Sequence, residues 1–221
     1  MNKDSLKLKG RPAEIPNVIR EDLPKFFKEM GYKVGVEIGT ARGLFAELFV
    51  KEGLKLYCVD PWENYSDYEY DKSGGTTGNI LTQYEEAKQR LAPYDNCILI
   101  RDYSMKSLDL FEDESIDFVY IDGNHGFKYV TEDIFEWSKK VKKGGCISGH
   151  DYIYTNRQFD DVHAKYVVDA YTKAFRIDQW YVLGRSRIGD HKKIKRDGVN
   201  ILINKEGEIR NPFRSWLWIK K

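Results

Sequence analysis

Five carboxylates in the sequence stand where predicted strands end, and their placement is the first sign of chemistry. They are Glu37, Asp60, Asp102, Asp122 and Asp151. The carboxyl ends of parallel strands meet at one edge of a sheet, where open α/β sheets bind their ligands. Each carboxylate alone also fits a loop cap, so the inference of a site depends on their coincidence at one edge.

Two histidines lie beside two of these carboxylates, in the segments Asp122-Gly-Asn-His125 and His150-Asp151. A histidine at a strand end can act as a general base and remove the proton of a hydroxyl group. We therefore take Asp122, His125 and His150 as the candidate catalytic residues.

A strand, a tight turn and a helix are predicted around Gly39. Residues 34–38 are an apolar run, and from Leu44 apolar residues recur at helical spacing. Glycine at position 39 lets backbone N–H groups approach a ligand, and Gly43 lets the helix begin close to the strand. A second apolar strand ends about 20 residues further on in Asp60, where a ribose clamp is expected. The pattern predicts a nucleoside-cofactor site, with an ordinary βαβ core as the alternative.

The segment from Glu37 to Gly43 narrows the choice of cofactor. A dinucleotide fingerprint would require glycine at the position of Ala41. The segment resembles the first motif of the class I S-adenosylmethionine-dependent methyltransferases, which reads acidic-x-Gly-Thr-x-x-Gly. The resemblance implies that Asp102 accepts the adenine amino group, although Asp102 also fits a turn residue that caps the next helix. The implied cofactor-binding residues are Glu37, Gly39, Thr40, Gly43, Asp60, Asp102, Ser104 and Asp122.

The segments around Asp122 and Asp151 are similar to the small-molecule O-methyltransferases of the macrocin and catechol types. This resemblance covers roughly residues 34–152 and implies a divalent metal on the acidic residues after the fourth and fifth strands. Oxygen ligands favour Mg²⁺ or another divalent cation of similar preference. We predict Asp122, Asp151 and His150 as the metal ligands. In the alternative without a metal, His125 alone removes the proton.

Apolar runs alternate with amphipathic segments along most of the chain, which predicts a parallel sheet covered on both faces. Further strand-like runs near the C-terminus fit the antiparallel pair that the resemblance implies. The predicted fold class is α/β: a Rossmann-like, doubly wound, mostly parallel sheet with helices on both faces and an antiparallel C-terminal strand pair.

The sequence also suggests how the chain is divided. We predict an extended N-terminal arm and a helix over residues 1–33, and the class I methyltransferase domain over residues 34–221. Residues 63–78 are rich in tyrosine and have no periodicity, which predicts either a lid over the cofactor or a disordered loop. Residues 185–214 are predicted as a basic insertion, with an inserted hairpin around Val199–Asn204.

Composition narrows the class of protein. The 221 residues, 41% hydrophobic and 32% charged, suit a soluble globular protein. No apolar run reaches the length of a membrane span and there is no signal-peptide core, so we expect a cytoplasmic protein. The net charge of +1 conceals an asymmetry, because from Arg185 onward 11 Lys and Arg stand against 4 Asp and Glu. Such a basic lobe is either a guide for an anionic substrate or a solvated hairpin.

These patterns predict an S-adenosylmethionine-dependent methyltransferase that acts on a hydroxyl group of a small metabolite, with a sugar or sugar conjugate as a candidate. The sequence does not fix the oligomeric state, and a homo-oligomer is one possibility. One alternative is a nucleic-acid methyltransferase or binding module that uses the basic lobe. The segment after the fourth strand lacks the Asn/Asp-Pro-Pro-Tyr/Phe clamp of nucleobase methyltransferases, which disfavours an exocyclic amine as acceptor and leaves oxygen methylation of RNA or DNA open. The other is an NAD(P)-dependent oxidoreductase, which the missing second glycine disfavours.

Overall fold

An eight-stranded β-sheet is the central feature of the structure, a computed structural model that describes residues 1–63, 80–154, 162–186, 189–211 and 213–221. Three further strands form a separate small sheet. In chain order the strands are β1 (Ala13–Ile15), β2 (Val34–Ile38), β3 (Lys55–Val59), β4 (Cys97–Ile100), β5 (Ile116–Ile121), β6 (Val141–Tyr152), β7 (Tyr181–Leu183), β8 (Lys192–Arg196), β9 (Val199–Ile203), β10 (Ile209–Arg210) and β11 (Arg214–Ile219).

Helices connect most of the strands. Within the described residues the α-helices are α1 (Leu23–Met30), α2 (Leu44–Lys51), α3 (Ile80–Leu91), α4 (Ser104–Ser107), α5 (Phe127–Lys140) and α6 (Ala164–Ala174). Short 3-10 helices cover Lys3–Lys7, Arg20–Asp22 and Leu108–Leu110. None of the described helices is long and apolar enough to cross a membrane.

The order of the strands in the main sheet is β1-β7-β11-β6-β5-β2-β3-β4. The five strands from β6 to β4 run parallel, and β11 runs antiparallel to both of its neighbours. The predicted fold class is therefore confirmed. Because the chain builds outward from β2 to β4 and then returns to add β5 on the other side of β2, the sheet has a topological switch point between β2 and β5. Open α/β sheets bind their ligands beyond the strand ends at such a point.

Two hydrophobic clusters cover the two faces of the sheet. On one face Phe118 and Tyr120 of β5 pack with residues of α1 and α2, and on the other Val119 and Ile121 pack with residues of α5 and α6. This alternation along β5 follows from the two-residue period of a strand. Both faces of β5 are buried, which explains why its sequence is an apolar run rather than an alternating one.

The N-terminal residues differ from the expected extended arm. They contain the 3-10 helix Lys3–Lys7 and strand β1, which pairs in parallel with β7 at the edge of the sheet. Ala13 N donates to Trp180 O at 2.9 Å and Gly184 N donates to Ile15 O at 2.7 Å. A strand of three residues is too short to leave a recognisable periodicity, so the sequence did not indicate it.

The basic insertion contains more structure than the predicted hairpin. Strands β8, β9 and β10 form a three-stranded antiparallel sheet, and Val199–Ile203 is its central strand. Ile201 and Ile209 of this sheet pack on Ile19, and Arg196 Nη2 lies 2.7 Å from Asp22 Oδ2. The small sheet therefore supports the segment before α1. Of the predicted lid, only Glu63 lies within the described residues.

Replacing Phe118 with alanine should reveal how strongly the core on the α1–α2 face holds the sheet. Phe118 is fully buried, and its ring centroid lies 4.7 Å from that of Phe27 and 5.2 Å from that of Phe49. We expect Phe118→Ala to lower the free energy of unfolding by about 3–5 kcal/mol in denaturant titrations, because it leaves a cavity. The control Phe135→Ala, at a residue that is 42% exposed, should cost about 1 kcal/mol at most. Equal losses in the two variants would contradict this description of the core.

Candidate active site

The turn after β2 touches the end of β5. Gly39 has a φ of +87°, and a Cβ atom at this position would lie 2.2 Å from the backbone oxygen of Asp122. Asp122 N donates to Ile38 O at 2.8 Å, and Gly39 N donates to Val59 O at 2.8 Å. Only glycine combines this φ with so close an approach. The sequence-predicted cofactor turn and the segment of Asp122 therefore meet at the switch point of the sheet.

Asp60 holds the turn from the other side. Its Oδ2 accepts a hydrogen bond from Ala41 N at 2.9 Å, and its Oδ1 accepts one from Trp62 N at 2.7 Å. The Trp62 indole donates to Ala41 O at 2.8 Å. Gly43, with a φ of +72°, precedes the first residue of α2, and its N–H donates to Thr40 O at 2.8 Å. Asp60 thus fixes the shape of the turn in addition to being a candidate partner for a ribose.

A cavity of about 510 Å³ opens at this edge of the sheet. The sequence-predicted site residues that line it are Gly39, Asp60, Ser104, Asp122 and His125. The predicted residues that are not among its lining residues are Glu37, Thr40, Gly43, Asp102, His150 and Asp151. The volume and the concave shape suit a nucleoside-sized ligand.

Glu37 lies beneath the turn rather than in the cavity wall. It is 2% exposed, and its Oε2 has no hydrogen-bond partner among the described residues. Burial raises the pKa of the Glu37 carboxyl to about 8. Thr40, which is 4% exposed, lies beside it in the same turn. A buried carboxyl group without a full set of partners costs stability, which is a common property of functional sites.

Asp102 and Ser104 follow β4 but have different surroundings. The Asp102 side chain is 45% exposed, its Oδ1 accepts from Tyr103 N at 2.8 Å, and Lys106 Nζ lies 4.0 Å away. The Ser104 hydroxyl instead donates to buried Asp133 and accepts from the Trp137 indole at 2.8 Å. Of the two predicted cofactor residues, only Ser104 borders the cavity.

Two carboxylates and two imidazoles gather where β5 and β6 end. His125 Nε2 lies 2.6 Å from Asp151 Oδ2 and 3.4 Å from Asp122 Oδ1. His150 Nδ1 lies 3.1 Å from Asp151 Oδ1 and 3.6 Å from Asp122 Oδ1. We call these four residues the His/Asp cluster. All four were predicted from the sequence, and the structure brings them together.

A bulge in β6 explains how two adjacent residues reach the same place. Gly149 pairs with Trp216 and Tyr152 pairs with Arg214, so two residues of β6 stand opposite one residue of β11. Asp151 has a φ of +55°. Strand alternation alone would direct His150 and Asp151 to opposite faces of the sheet. The bulge re-aims the side chains, as bulges beside functional sites often do.

Arg20 is a residue of the site that the sequence did not reveal. Its Nη1 lies 3.1 Å from Asp122 Oδ2, and its guanidinium lies 5.1 Å from the centre of the Phe45 ring. Arg20 belongs to the 3-10 helix that precedes α1, 102 residues away from Asp122 in sequence. No periodicity or motif marks such a contact. The Arg20 guanidinium contacts Asp122 Oδ2, while Asp122 Oδ1 faces the two imidazoles.

The carboxylates and imidazoles of the cluster shift each other's pKa values. Burial alone would lower the pKa of His125, but the Asp151 and Asp122 carboxylates raise it to about 10. Burial would raise the pKa of Asp151, whereas His125 and His150 hold it well below its usual range. The carboxylates of the cluster therefore favour the protonated form of the His125 imidazole, and the imidazoles favour the ionised form of the Asp151 carboxyl.

Among the solved structures that share this fold are three with low sequence identity to this chain. An O-methyltransferase from Bacillus cereus in complex with SAH is 12% identical, with a TM-score of 0.56 over 91% of this chain and 80% of that one. The O-methyltransferase TomG from Streptomyces achromogenes in complex with SAM is 11% identical, with a TM-score of 0.56 over 91% of this chain and 79% of that one. A candidate caffeoyl-CoA O-methyltransferase from Staphylococcus aureus gives 14% identity and a TM-score of 0.56 over 91% and 82%.

The family assignment comes from the sequence itself. A search of the curated proteins finds no match. Residues 36–152, more than half of the 221-residue chain, match a family described as a methyltransferase domain. The matched range begins in β2 and ends at the last residue of β6, so it contains the turn, Asp60 and the whole His/Asp cluster. The chain therefore belongs to this methyltransferase family, which confirms its prediction as a class I S-adenosylmethionine-dependent methyltransferase.

Proposed function

We propose that the protein transfers the methyl group of S-adenosylmethionine to a hydroxyl oxygen of a small metabolite. The observation that carries the proposal is the position of the His/Asp cluster, which borders the cavity through Asp122 and His125. A sulfonium methyl group is already activated, so the protein has to align it with the acceptor oxygen, exclude water and assist the loss of the hydroxyl proton. In our proposal the cavity aligns the methyl group, and the cluster assists the loss of the proton.

The cofactor would occupy the cavity of about 510 Å³. In our proposal Asp60 accepts from the ribose hydroxyls, because one carboxylate can accept several hydrogen bonds at once. Gly39 brings bare backbone against the methionine part of the cofactor. Trp62, which is buried and packs on Tyr84 with 4.9 Å between ring centroids, closes the wall beside Asp60. The structures in complex with SAM and SAH support this choice of cofactor.

A divalent cation fits the His/Asp cluster. Asp122, His125 and Asp151 offer ligand atoms that all lie within 4.8 Å of one another. His150 Nδ1 lies next to the same carboxylates, so we propose Asp122 and Asp151 as ligands, with His125 or His150 as the nitrogen donor. A bound divalent cation would lower the pKa of the acceptor hydroxyl. Carboxylate donors suit Mg²⁺, and an added imidazole is also compatible with Mn²⁺.

The other residues of the cluster have their own tasks in this proposal. Arg20 holds Asp122 Oδ2 by an ion pair, which orients Oδ1 toward the two imidazoles. A histidine that is not bound to the cation remains available to accept the acceptor's proton. The bulge at His150 and Asp151 keeps the second carboxylate beside Asp122 and His125. In the variant of the proposal without a metal, proton removal falls to a histidine alone.

We infer that the acceptor is a hydroxylated metabolite, with a sugar or sugar conjugate as the candidate that the sequence suggests. The basic C-terminal segment is compatible with an anionic acceptor. Neither the nucleic-acid-binding nor the nicotinamide-dependent alternative is supported by the family match.

Calorimetry tests the cofactor site without knowledge of the acceptor. We expect S-adenosylhomocysteine to bind and NAD not to bind comparably. Asp60→Ala should weaken S-adenosylhomocysteine binding by about 1–3 kcal/mol, because hydrogen-bonded polar groups lose their partner. Asp113→Ala, at a carboxylate whose side chain is 67% exposed, is the matched control and should leave the affinity unchanged. If Asp60→Ala binds as tightly as the wild type, Asp60 is not part of the cofactor site.

A transfer assay tests the reaction. We expect a labelled methyl group from S-adenosylmethionine to be recovered as a methyl ether on one member of a panel of hydroxylated metabolites with Mg²⁺ present. A chelator should abolish transfer and leave S-adenosylhomocysteine binding intact, and added Mg²⁺ should restore turnover. Asp151→Asn should lower the rate by about 100-fold or more, because it removes a carboxylate ligand, whereas Asp113→Asn should not.

Two outcomes of this assay count against the proposal. Recovery of the label on nitrogen would contradict O-methylation. Full turnover in chelator would remove the metal and assign proton removal to a histidine.

A further inference from the structure

The residue that follows Asp151 has no part in the function proposed so far. Tyr152 is the last residue of β6 and is 3% exposed. Its ring lies in the hydrophobic cluster on the α5–α6 face of the sheet, where its centroid is 5.6 Å from that of Trp180. Its hydroxyl donates to Asp169 Oδ1 at 2.8 Å. Tyr152 is therefore anchored in the core directly beside a residue of the His/Asp cluster.

Two buried cations lie over the Tyr152 ring. Lys165 Nζ of α6 is 4.7 Å from the ring centre, and the Arg214 guanidinium of β11 is 5.2 Å from it. Lys165 is 7% exposed and Arg214 is 4% exposed. Lys165 pairs with Asp169 and Arg214 pairs with Glu14, so both charges are compensated. Cation–π contacts are stronger when the cation is desolvated. The ring is thus held from β11 and from α6 at once.

The backbone of the bulge in β6 needs such support. Asp151 has a φ of +55°, in a region that costs free energy in a residue other than glycine and persists only where the surroundings fix it. Before it, His150 O accepts from the Trp216 indole at 2.9 Å. After it, Ile153 N donates to Asp151 O at 2.8 Å. Tyr152 lies between these two backbone contacts and supplies the side-chain anchor.

We propose that Tyr152 is a positioning residue, whose anchored ring holds the bulge of β6 in the form that directs the Asp151 carboxylate toward His125. Arg214 is the register partner of Tyr152 next to the bulge, so one residue holds both its backbone and its ring. Without the anchor, Asp151 can relax to an ordinary negative φ, which turns its carboxylate away from the other ligands of the cation. The inference rests on the proposed metal centre.

A buried tyrosine near the opposite end of β6 provides a matched control. Tyr32 is 8% exposed, and its ring centroid lies 6.3 Å from that of Phe118. Its hydroxyl donates to Gly144 O at 2.8 Å. Gly144 lies near the first residue of β6, whereas the His/Asp cluster lies near the last. Tyr32→Leu therefore removes a buried ring and a hydrogen bond far from the cluster.

The test measures Mn²⁺ affinity by electron paramagnetic resonance and S-adenosylhomocysteine affinity by calorimetry. Tyr152→Leu should weaken Mn²⁺ binding by about 10-fold or more, as the loss of a residue that orients a metal ligand does. It should leave S-adenosylhomocysteine binding unchanged, because Tyr152 does not line the cavity. Tyr152→Phe keeps the ring beside the two cations and should retain the Mn²⁺ affinity to within about threefold. Tyr32→Leu should lower stability without changing either affinity.

A second variant removes one of the cations and leaves Tyr152 in place. Lys165→Met should weaken Mn²⁺ binding severalfold with S-adenosylhomocysteine binding intact. Unchanged Mn²⁺ affinity in both Tyr152→Leu and Lys165→Met would overturn the assignment. An equal loss in Tyr32→Leu would also overturn it, since general destabilisation would then explain the effect. A wild type that binds S-adenosylhomocysteine but not Mn²⁺ would instead overturn the metal centre, and this assignment with it.

Discussion

The contact between the Gly39 turn and the end of β5 is the constraint on which both parts of the site depend. A Cβ atom at residue 39 would lie 2.2 Å from the Asp122 oxygen, so this approach requires glycine. Because β2 and β5 are neighbours at the switch point, the contact sets the Gly39 wall of the cavity directly against the first residue of the His/Asp cluster. A larger residue at position 39 would push the turn away from the end of β5.

Charge compensation at the cluster depends on parts of the chain that are distant in sequence. Asp122 and Asp151 bring two buried carboxylates together, and such groups repel unless cations lie between them. His125 and His150 lie within 3.6 Å of both carboxylates, and Arg20 pairs with Asp122 from outside. Arg20 is positioned by a segment that the three-stranded sheet supports through Arg196 and Asp22. The basic insertion therefore contributes to the site through the support of Arg20, whatever its relation to the acceptor.

The parts of this arrangement that the sequence revealed share one property, which is that they are local. Strands β2 to β5 are apolar runs with a carboxylate within two residues of their ends, so these strand ends could be identified, and so could the helix Phe127–Lys140 from its apolar stripe. Strand β1 could not, because three residues carry no period. Arg20 could not, since its position in the site depends on a contact with Asp122 across the fold. The joint approach of His150 and Asp151 needed the bulge, which arises from pairing with β11.

The central claim is that one cavity holds the cofactor with its methyl group at the His/Asp cluster and its adenine ring at the far wall. Proton relaxation of bound S-adenosylmethionine in the presence of Mn²⁺ tests it most directly, because paramagnetic relaxation falls steeply with distance from the metal. The account predicts that Mn²⁺ relaxes the S-methyl protons more strongly than the adenine H2 and H8 protons, and that Asp151→Asn removes the difference. Equal relaxation of both groups, or stronger relaxation of the adenine protons, would contradict it.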